Sequence, residues 1–459
     1  MGHYIIKKGL NLPITGEPAP RLDAAPPVSR VAVLAADYIG MKPTMLVQQG
    51  SPVKRGQPLF EDKKQPGVLH TAPGAGTVLA VNRGERRALQ SVVIELTETE
   101  RRNQPEVGDF HPFAAYTGKD PALLDRAQVK ALLVESGLWT ALRTRPFSRT
   151  PAIDSVPHAI FITAMDTNPL APNLDLSVEG REDDLRLGAL VAAKLTDGQV
   201  YWCTTPGSKV RPPANLGVDV ETFEGPHPAG NVGTHIHLLT PVNRHKTVWH
   251  AGIQDVLTIG ALFRTGRLSV ERLLTLAGPG VKAPRHLKTR AGAWIDEIVR
   301  GETAEGEQRV ISGSVLSGRK AMGEILGYLG RFHHQISVIA EDHDRKFLGW
   351  LSPGADTFSV VNVFVSKFLG GKKFAFTTTA NGAPRAMVPI GVYERVTPLD
   401  LVMTYLLRSL IMNDIERAEM LGCLELDEED VALSTFVCPC KFDYGPILRR
   451  NLDEIEREG

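Results

Sequence analysis

The sequence predicts an α+β protein made of several domains, and three stretches lead to this prediction. Between residues 42 and 96, short apolar runs are interrupted by glycines, a pattern typical of short strands joined by tight turns. Between residues 159 and 204, two apolar runs of strand length flank a helical segment, which indicates a parallel sheet covered by helices. Residues 398–421 form the strongest helical pattern of the chain. A length of 459 residues leaves room for about three domains.

The hydrophobic content of 42% and the charged content of 23% are those of an ordinary globular protein. The 52 basic residues offset the 52 acidic ones, so no global positive field favours binding to nucleic acid. Four cysteines are too few for a disulfide framework in so long a chain, which favours the reducing cytosol. Because no run approaches the roughly 20 apolar residues that span a bilayer, we expect any membrane association to be made through a partner or an interfacial surface.

The chain is predicted to begin with an edge strand and a loop. Leu10, Leu12 and Ile14 alternate as in a half-buried strand, and Pro13 restricts that strand to the edge of a sheet. Residues 16–29 are rich in Pro and Ala, which indicates a loop. A second strand at 31–34 then leads into the glycine-rich stretch.

The glycine-rich stretch predicts a barrel-sandwich hybrid, the domain of biotinyl and lipoyl carriers, and we assign residues 1–105 to it. In a carrier, the hairpin between the two halves presents a modified lysine, and Lys63 and Lys64 lie at that place. A carrier's lysine sits at the tip of a tight hairpin, whereas Pro66 and Gly67 follow here. We therefore interpret both lysines as solvated turn residues, with modification as the alternative.

Residues 106–266 predict a second domain that contains an α/β layer. Asp120 and Pro121 supply an N-cap and a first helical residue for a helix that extends as far as Gly137. A strand, a helix and a second strand follow, and this order implies a parallel sheet. The predicted elements are strands at 159–164, 200–204, 218–223 and 234–239, and helices at 179–196 and 249–264.

Residues 267–355 and 356–459 predict a third and a fourth domain. In the third, strands at 269–276 and 309–311 and a short helix at 293–300 suggest a small β-grasp-like module. In the fourth, helices are predicted at 356–369, 398–421 and 445–459.

The helix at 398–421 is expected to be buried. Thr397 is its predicted cap and Gly422 its predicted stop. Its polar residues Asp400, Thr404 and Arg408 fall on one stripe, while Leu and other apolar residues cover most of the remaining surface. A helix of this kind is buried in its own domain or packed against a partner protein or near a membrane.

Histidines are the first candidates for a metal site. On the predicted strand at 234–239, His235 and His237 would point to one face and could bind zinc together with His227, His245 or His250. No Cys or acidic residue joins them at ligand spacing, so we favour histidines that form local hydrogen bonds. The pair His333-His334 and the run Asp342-His343-Asp344 are equally weak, because adjacent strand residues point to opposite faces.

Cysteines are the second candidates. Cys438 and Cys440, with Cys423, are the only clustered thiols, and Cys203 falls in another predicted domain. An iron–sulfur cubane normally needs four thiolates at wider spacings. Plain structural cysteines are therefore favoured over redox or partner-thiol chemistry, and both over a cluster.

The chain shows no motif for a nucleotide or a catalytic nucleophile. No glycine-rich dinucleotide or phosphate-binding motif follows a predicted strand. Ser312, Gly313 and Ser314 have the composition of a turn rather than of a nucleophile elbow. We therefore predict no catalytic residue, no metal ligand and no locatable cofactor contact.

Several segments resemble the A subunit of the bacterial sodium-translocating NADH:quinone reductase, and they extend from one end of the chain to the other. They are Lys7-Lys8-Gly9-Leu10, Leu12-Pro13-Ile14, Gly16 and Pro18; Gly233-Thr234-His235-Ile236-His237 with Val248-Trp249-His250; residues 309–318; Gly349-Trp350-Leu351 with Pro353-Gly354; and Phe436-Val437-Cys438-Pro439, Lys441 and Gly445-Pro446-Ile447-Leu448-Arg449. Two positions depart from the family pattern, since Cys440 stands where Gly is expected and Ser434 where Cys is common.

The resemblance implies a fold similar to the NADH-binding flavoprotein subunit of respiratory complex I, without its flavin loop and iron–sulfur cysteines. The four implied parts are a barrel-sandwich hybrid, a Rossmann-like α/β domain, a β-grasp module of the soluble-ligand-binding type and a helical C-terminal domain.

The resemblance also implies a function within a complex. The complex passes electrons from NADH through flavins and iron–sulfur centres of other subunits to ubiquinone, and it pumps sodium ions outward. The A subunit is implied to be peripheral, on the cytoplasmic side of the inner membrane, seated chiefly on the B subunit, which lies in the membrane. It is associated with the quinone-reducing step, and the isolated chain is not expected to be catalytic.

Two other functions stay open at the level of sequence. A carrier would have a lipoyl or biotinyl group on Lys63 or Lys64, which intact-mass measurement detects. A stand-alone flavin or iron–sulfur oxidoreductase would be coloured when purified, whereas the accessory protein would be colourless.

Overall fold

The computed structural model describes residues 2–214, 216–343, 351–368 and 370–458. Within these ranges, four β-sheets lie ahead of residue 341, and helices dominate the last part of the chain. None of the helices described is long and apolar enough to cross a membrane. Asp344, Gly349, Trp350 and Leu369, which belong to the motifs and elements predicted above, lie outside the described ranges.

Two small antiparallel sheets form the first part of the fold, which we call the barrel. The strands and helix of the N-terminal region are β1 (His3–Ile5), β2 (Ala19–Ala24), β3 (Arg30–Leu34), β4 (Pro43–Met45), β5 (Pro52–Val53), β6 (Pro58–Asp62), β7 (Leu69–Thr71), β8 (Gly76–Arg83), β9 (Leu89–Leu96) and α1 (Glu98–Arg101). One barrel sheet has the order β3-β9-β8-β5 and the other β4-β6-β7. The inward side chains Leu59, Phe60 and Val92 are fully buried between them.

A six-stranded sheet, here called the parallel sheet, forms the second part. The elements of this region are α2 (Arg126–Glu135), β10 (Arg143–Arg145), β11 (Ala159–Thr163), α3 (Glu182–Lys194), β12 (Gln199–Thr204), β13 (Val218–Glu224), α4 (Val232–Leu239), β14 (Val248–Gly252) and α5 (Ile253–Thr265). The strand order is β1-β13-β12-β11-β14-β10, and only β10 is antiparallel to its neighbour. Continuous apolar strands such as β11 are buried on both faces, as the sequence predicted.

Two predicted elements of this region are wrong. The segment 234–239, predicted as a strand, is helix α4, and the segment 249–264, predicted as one helix, is strand β14 followed by helix α5. The run Val248-Trp249 is β-prone and enters the sheet, and Gly252, in an extended conformation, is the N-cap of α5. Short apolar runs do not distinguish strand from helix by periodicity alone.

Helices α3 and α5 touch backbone to backbone on one face of the parallel sheet. A Cβ atom at Gly188 would lie 2.1 Å from the carbonyl oxygen of Val256, and one at Gly260 would lie 1.8 Å from that of Asp184. Both glycines have helical backbones, so the space, rather than the backbone conformation, requires glycine here.

The third part is a six-stranded mixed sheet. Its elements are β15 (Glu271–Ala277), β16 (Arg285–Arg290), α6 (Ile295–Ile298), β17 (Gln308–Ser312), β18 (Arg319–Lys320), α7 (Gly323–Leu326) and β19 (Gln335–Ala340). The strand order is β18-β17-β19-β15-β16-β2. Leu274, Leu287 and Ile336 of this sheet share one apolar cluster with the side chains of the barrel, so the two parts have a common core.

The N-terminal predictions are wrong in detail because these residues pair with distant strands. The predicted loop at 16–29 contains β2, which lies parallel to β16. The predicted strand around Leu10 and Leu12 is irregular, and both side chains pack against the C-terminal helices. The strand that does form, β1, joins the parallel sheet beside β13.

The C-terminal helices form a separate apolar core. They are α8 (Val392–Val396), α9 (Met403–Met412), α10 (Ile415–Met420), α11 (Glu428–Val437) and α12 (Tyr444–Glu458). The long predicted helix at 398–421 is wrong as a single element, because Asn413 adopts a left-handed conformation with φ 57° and separates α9 from α10. Val402, and not Thr397, precedes α9. Within 356–368, only Val365–Phe368 is helical, as a short 3-10 turn.

We expect Gly260→Ala to destabilise the protein by about 2–4 kcal/mol, because the added methyl group overlaps the backbone of α3. Gly108→Ala is the matched control, since nothing lies within 4 Å of a Cβ at that position. Chemical unfolding followed by circular dichroism measures both changes. An unaltered unfolding midpoint for Gly260→Ala would contradict the close approach of the two helices.

Candidate functional site

Lys63 and Lys64 lie in the turn between β6 and β7, and both side chains are exposed. This turn is fixed on both sides. The amide of Lys63 donates to the Lys42 carbonyl at 2.7 Å, and the side-chain amide of Gln65 donates to the Thr150 carbonyl at 2.8 Å. The hairpin therefore contacts the chain that leads into the parallel sheet, unlike a freely presented arm.

The histidines do not converge on a metal. His235 and His237 lie on helix α4 and therefore do not share a strand face. His235 is fully buried with Nε2 2.9 Å from the Ala229 carbonyl oxygen, and His237 lies 2.8 Å from Glu425. Among the described residues, no group of three His, Cys, Asp or Glu side chains could hold a metal ion.

The four thiols are free and buried. Cys203 belongs to the apolar cluster beside the parallel sheet, whereas Cys423, Cys438 and Cys440 belong to the C-terminal core. Cys438 Sγ lies 3.2 Å from the Tyr393 hydroxyl and 3.5 Å from the Tyr444 hydroxyl. Burial raises the pKa of the Cys438 thiol, but these hydrogen bonds outweigh burial and lower it overall. The thiols are thus part of two apolar cores, Cys203 of one and the other three of the second.

The crevice at the carboxyl ends of the parallel strands is the place where doubly wound folds bind ligands. Strands β12 and β13 are added on one side of β11 and β14 on the other, so the strand order reverses between β11 and β14, which are parallel to each other. Helix α3 packs on one face of the sheet and α4 on the opposite face. The segment ahead of β19 occupies this place. His334 Cε1 would lie 3.6 Å from a Cβ at Gly252, and the Gln335 side chain donates to the Pro169 carbonyl at 2.9 Å.

A buried ion cluster fixes that segment. Asp255, in the first turn of α5, accepts hydrogen bonds from Arg272 of β15 at 3.0 Å and from Arg331. Burial raises the pKa of the Asp255 carboxyl, but the two guanidinium groups lower it overall, so it stays ionised. Beside it, Gln254 both donates to and accepts from the backbone of Leu273.

A cavity of about 60 Å³ lies next to this cluster, between the barrel, the parallel sheet and the mixed sheet. Its lining combines apolar side chains with hydrogen-bond donors, among them Tyr38, Leu138, Thr258, Arg272, Leu329 and Arg331. Burial raises the pKa of Tyr38 to about 12, so its hydroxyl keeps its proton. The cavity exceeds the roughly 10–15 Å³ that one water needs.

Arg143 of β10 contacts the segment that precedes β19. Its guanidinium lies 4.4 Å from the ring centroid of Phe332, and in the sheet it is the cross-strand neighbour of His250. His250 is buried, and its Nε2 has no hydrogen-bond partner among the described residues. Burial, Arg143 and Arg145 hold the pKa of His250 well below its ordinary value, so this imidazole is neutral.

A second ion cluster joins the parallel sheet to the C-terminal helices. Arg145 is fully buried and contacts Glu429 at 3.1 Å and Asp430 at 2.8 Å. Burial and, to a smaller extent, the charge of the nearby Asp430 raise the pKa of Glu429 to about 7. The sequence alone does not predict this ion cluster, because Arg145 and Asp430 are 285 residues apart.

Three family models match the chain. They are the NqrA N-terminal barrel-sandwich hybrid domain at residues 4–97, the NqrA second alpha/beta domain at 124–268 and the NQRA C-terminal domain at 274–323. Proteins named as the A subunit of Na⁺-translocating NADH-quinone reductase are 53% identical in Saccharophagus degradans and 52% identical in both Hahella chejuensis and Serratia proteamaculans, over 99% of each chain. The chain belongs to this family.

This membership confirms the predicted family, the N-terminal barrel-sandwich hybrid and the α/β domain that follows it. Among solved structures, an NAD⁺-reducing [NiFe]-hydrogenase aligns in its air-oxidized state with a TM-score of 0.33 and 13% identity, covering 50% of this chain and 49% of that one. In the H₂-reduced state the TM-score is 0.34 with 15% identity, and 50% of each chain is covered.

We expect stability to fall as pH drops from 6.5 towards 4. Burial lowers the pKa of His70 to about 3 and those of His227, His235 and His333 to about 4. Below pH 6.5 the histidines of the unfolded chain bind protons, whereas these four remain neutral in the folded chain. At pH 5 each of them therefore lowers the free energy of unfolding by about 2 kcal/mol relative to neutral pH.

His70→Phe removes one of these contributions and keeps the stacking on Phe60. The loss of stability between pH 7 and pH 5 should therefore shrink by about 2 kcal/mol. The exposed His245→Phe is the control and should leave the loss unchanged. Identical pH profiles for His70→Phe and the parent would refute a neutral His70.

Proposed function

We propose that this chain is the peripheral subunit of a sodium-translocating NADH:ubiquinone reductase, on the cytoplasmic side of the bacterial inner membrane. The complex reduces ubiquinone to ubiquinol with NADH and pumps sodium ions out. The chain docks on the membrane subunits, chiefly the B subunit, and has no flavin or iron–sulfur centre of its own. The identity of 53% over 99% of both chains with a protein of that name is the observation that carries this proposal.

We propose the same four-part division that the sequence indicates. Residues 1–105 contain the barrel-sandwich hybrid, with β1 and β2 added to the other sheets. Residues 106–266 are a Rossmann-like α/β domain, 267–355 a β-grasp-like module with its following strands and 356–459 a helical domain. The parallel order of the inner strands and the separate C-terminal core support this division.

We propose the outer face of α9 and α10 as the docking surface. On the inner face, Leu406, Leu407 and Leu410 are fully buried, so the domain core accounts for that side of α9. On the outer face, Tyr405 is 54% and Met412 77% exposed. Arg408 is exposed on the same face between these two residues, so the surface offers two large apolar side chains and one cation to a partner.

Charges on the outer face should impair assembly. We expect Tyr405→Glu and Met412→Glu each to reduce co-purification with the B subunit of the membrane part about tenfold, because a desolvated carboxylate opposes contact. Leu123→Glu is the matched control. Leu123 is 76% exposed, and it lies in a turn of the α/β domain that is distant in sequence from α9. Equal recovery of the B subunit with all three variants would refute this docking surface.

In the quinone-reducing step, this chain forms one side of the quinone-binding site. A quinone headgroup needs an apolar slot with a few converging hydrogen-bond groups, and ligand pockets are typically about 300–1,000 Å³. The cavity beside Arg272 and Arg331 has suitable side chains but a volume of about 60 Å³. A site of sufficient size would therefore need surfaces of other subunits.

A soluble ubiquinone analogue should accordingly bind the assembled complex and not the isolated chain. Equilibrium dialysis against both samples measures this difference, with the complex lacking this chain as the control. Saturable binding to the isolated chain would contradict this proposal, because it would mean that the chain contains a complete quinone site.

The alternative function, a carrier modified at Lys63 or Lys64, draws support only from the exposure of both lysines in a hairpin of the barrel. The hydrogen bonds of that hairpin to Lys42 and Thr150 oppose the freedom that a swinging arm needs.

A further inference from the structure

A polar cleft of about 480 Å³ opens where the barrel, the parallel sheet and the mixed sheet meet. Its volume falls within the roughly 300–1,000 Å³ of small-molecule sites. The charged side chains in its lining are Arg55, Glu179, Arg181, Asp184, Arg264, Arg267, Glu271 and Lys288. The cleft adjoins the cavity beside Tyr38 and Arg331, with which it shares Leu268 and Ser269, and the proposed function does not use it.

Positive charge exceeds negative charge in this lining, with five basic side chains against three acidic ones. Asp184 accepts from Arg181 at 3.1 Å and from Arg264 at 2.8 Å, and Glu271 lies 2.9 Å from Lys288. Each of these two carboxylates is therefore shared or already engaged. The same ion pairs engage Arg181, Arg264 and Lys288, so an anion from solution would find its uncompensated positive charge mainly at Arg267.

Arg267 is the least compensated of these cations. Within the part of the chain that the structure describes, no carboxylate forms an ion pair with it. Its guanidinium carbon lies 5.0 Å from the ring centroid of Phe110, and the guanidinium carbon of Arg55 lies 4.9 Å from the same centroid. Phe110 therefore contacts both guanidinium groups, and an anion that pairs with Arg267 would supply the negative charge that this cation lacks.

The side chain of Arg55 lines the cleft in a fixed position. It is only 6% exposed, and its Nε donates to Glu100 at 2.8 Å. Glu100 is itself held by Arg290 of β16 at 2.7 Å and by the Ala75 amide at 3.0 Å. The position of Arg55 is therefore determined by the core and does not depend on a ligand.

We propose that this cleft binds a small anion that carries a diphosphate group. Guanidinium groups donate two parallel hydrogen bonds to phosphate oxygens, and Arg264 and Arg267 are both exposed at the cleft surface. Lys288 of the mixed sheet lies in the same lining, where it is paired with Glu271. Because all three parts of the fold line the cleft, the bound anion also holds them together.

Calorimetric titration of the full-length chain at low salt tests the proposal with two probes, inorganic pyrophosphate and ADP. Both should bind saturably, and Arg267→Ala should weaken binding about tenfold or more through loss of a charge-assisted hydrogen bond. Arg300→Ala is the matched control, because Arg300 is exposed and outside the cleft. Tighter binding of ADP would identify a nucleotide, and equal affinities a free diphosphate.

Two results would overturn the proposal. One is the absence of saturable binding of either probe to the parent chain. The other is equal weakening by Arg267→Ala and Arg300→Ala, which would indicate attraction to net charge without a site. Circular dichroism confirms that each variant is folded, and failure here leaves the docking and quinone experiments unaffected.

Discussion

The arrangement of the central part of the molecule depends on the Asp255 carboxylate. This buried group lies in the first turn of helix α5, beside the parallel sheet, and it binds Arg272 of the mixed sheet and Arg331 of the segment before β19. Taking three charges out of water costs several kcal/mol per ion, which only close pairing offsets. Loss of the carboxylate would leave two guanidinium groups buried beside each other, at a cost of about 3–5 kcal/mol.

Buried ion pairs join the other parts of the fold in the same way. Glu100 connects Arg55 of the barrel to Arg290 of the mixed sheet, and Arg145 connects the parallel sheet to α11. Apolar burial supplies most of the stability but has no direction. A buried ion accepts one geometry and thereby fixes how two apolar faces meet. The buried charged groups of this protein are therefore found where two parts of the fold meet, and we call these contacts the joints between the parts.

These joints also decide where ligands can bind. The place where a doubly wound sheet would take a ligand is occupied by His334 and Gln335, which the Asp255 cluster keeps there. The two surfaces that we propose for a partner protein and for an anion both lie at the periphery, on the outer face of α9 and at the cleft around Arg267.

The sequence by itself determined the family, the glycine-dependent turns of the barrel, the buried strands of the α/β layer and the C-terminal helix, because each is written in a local periodicity or motif. It did not determine that β1 and β2 join sheets formed more than 200 residues away, that Asn413 divides the long helix, or that residues 234–239 are helical. It also gave no indication of Arg145, Asp255 or Arg267. Only the tertiary structure decides such features, since a charge acquires its partner, and an edge strand its neighbour, when distant segments are brought together.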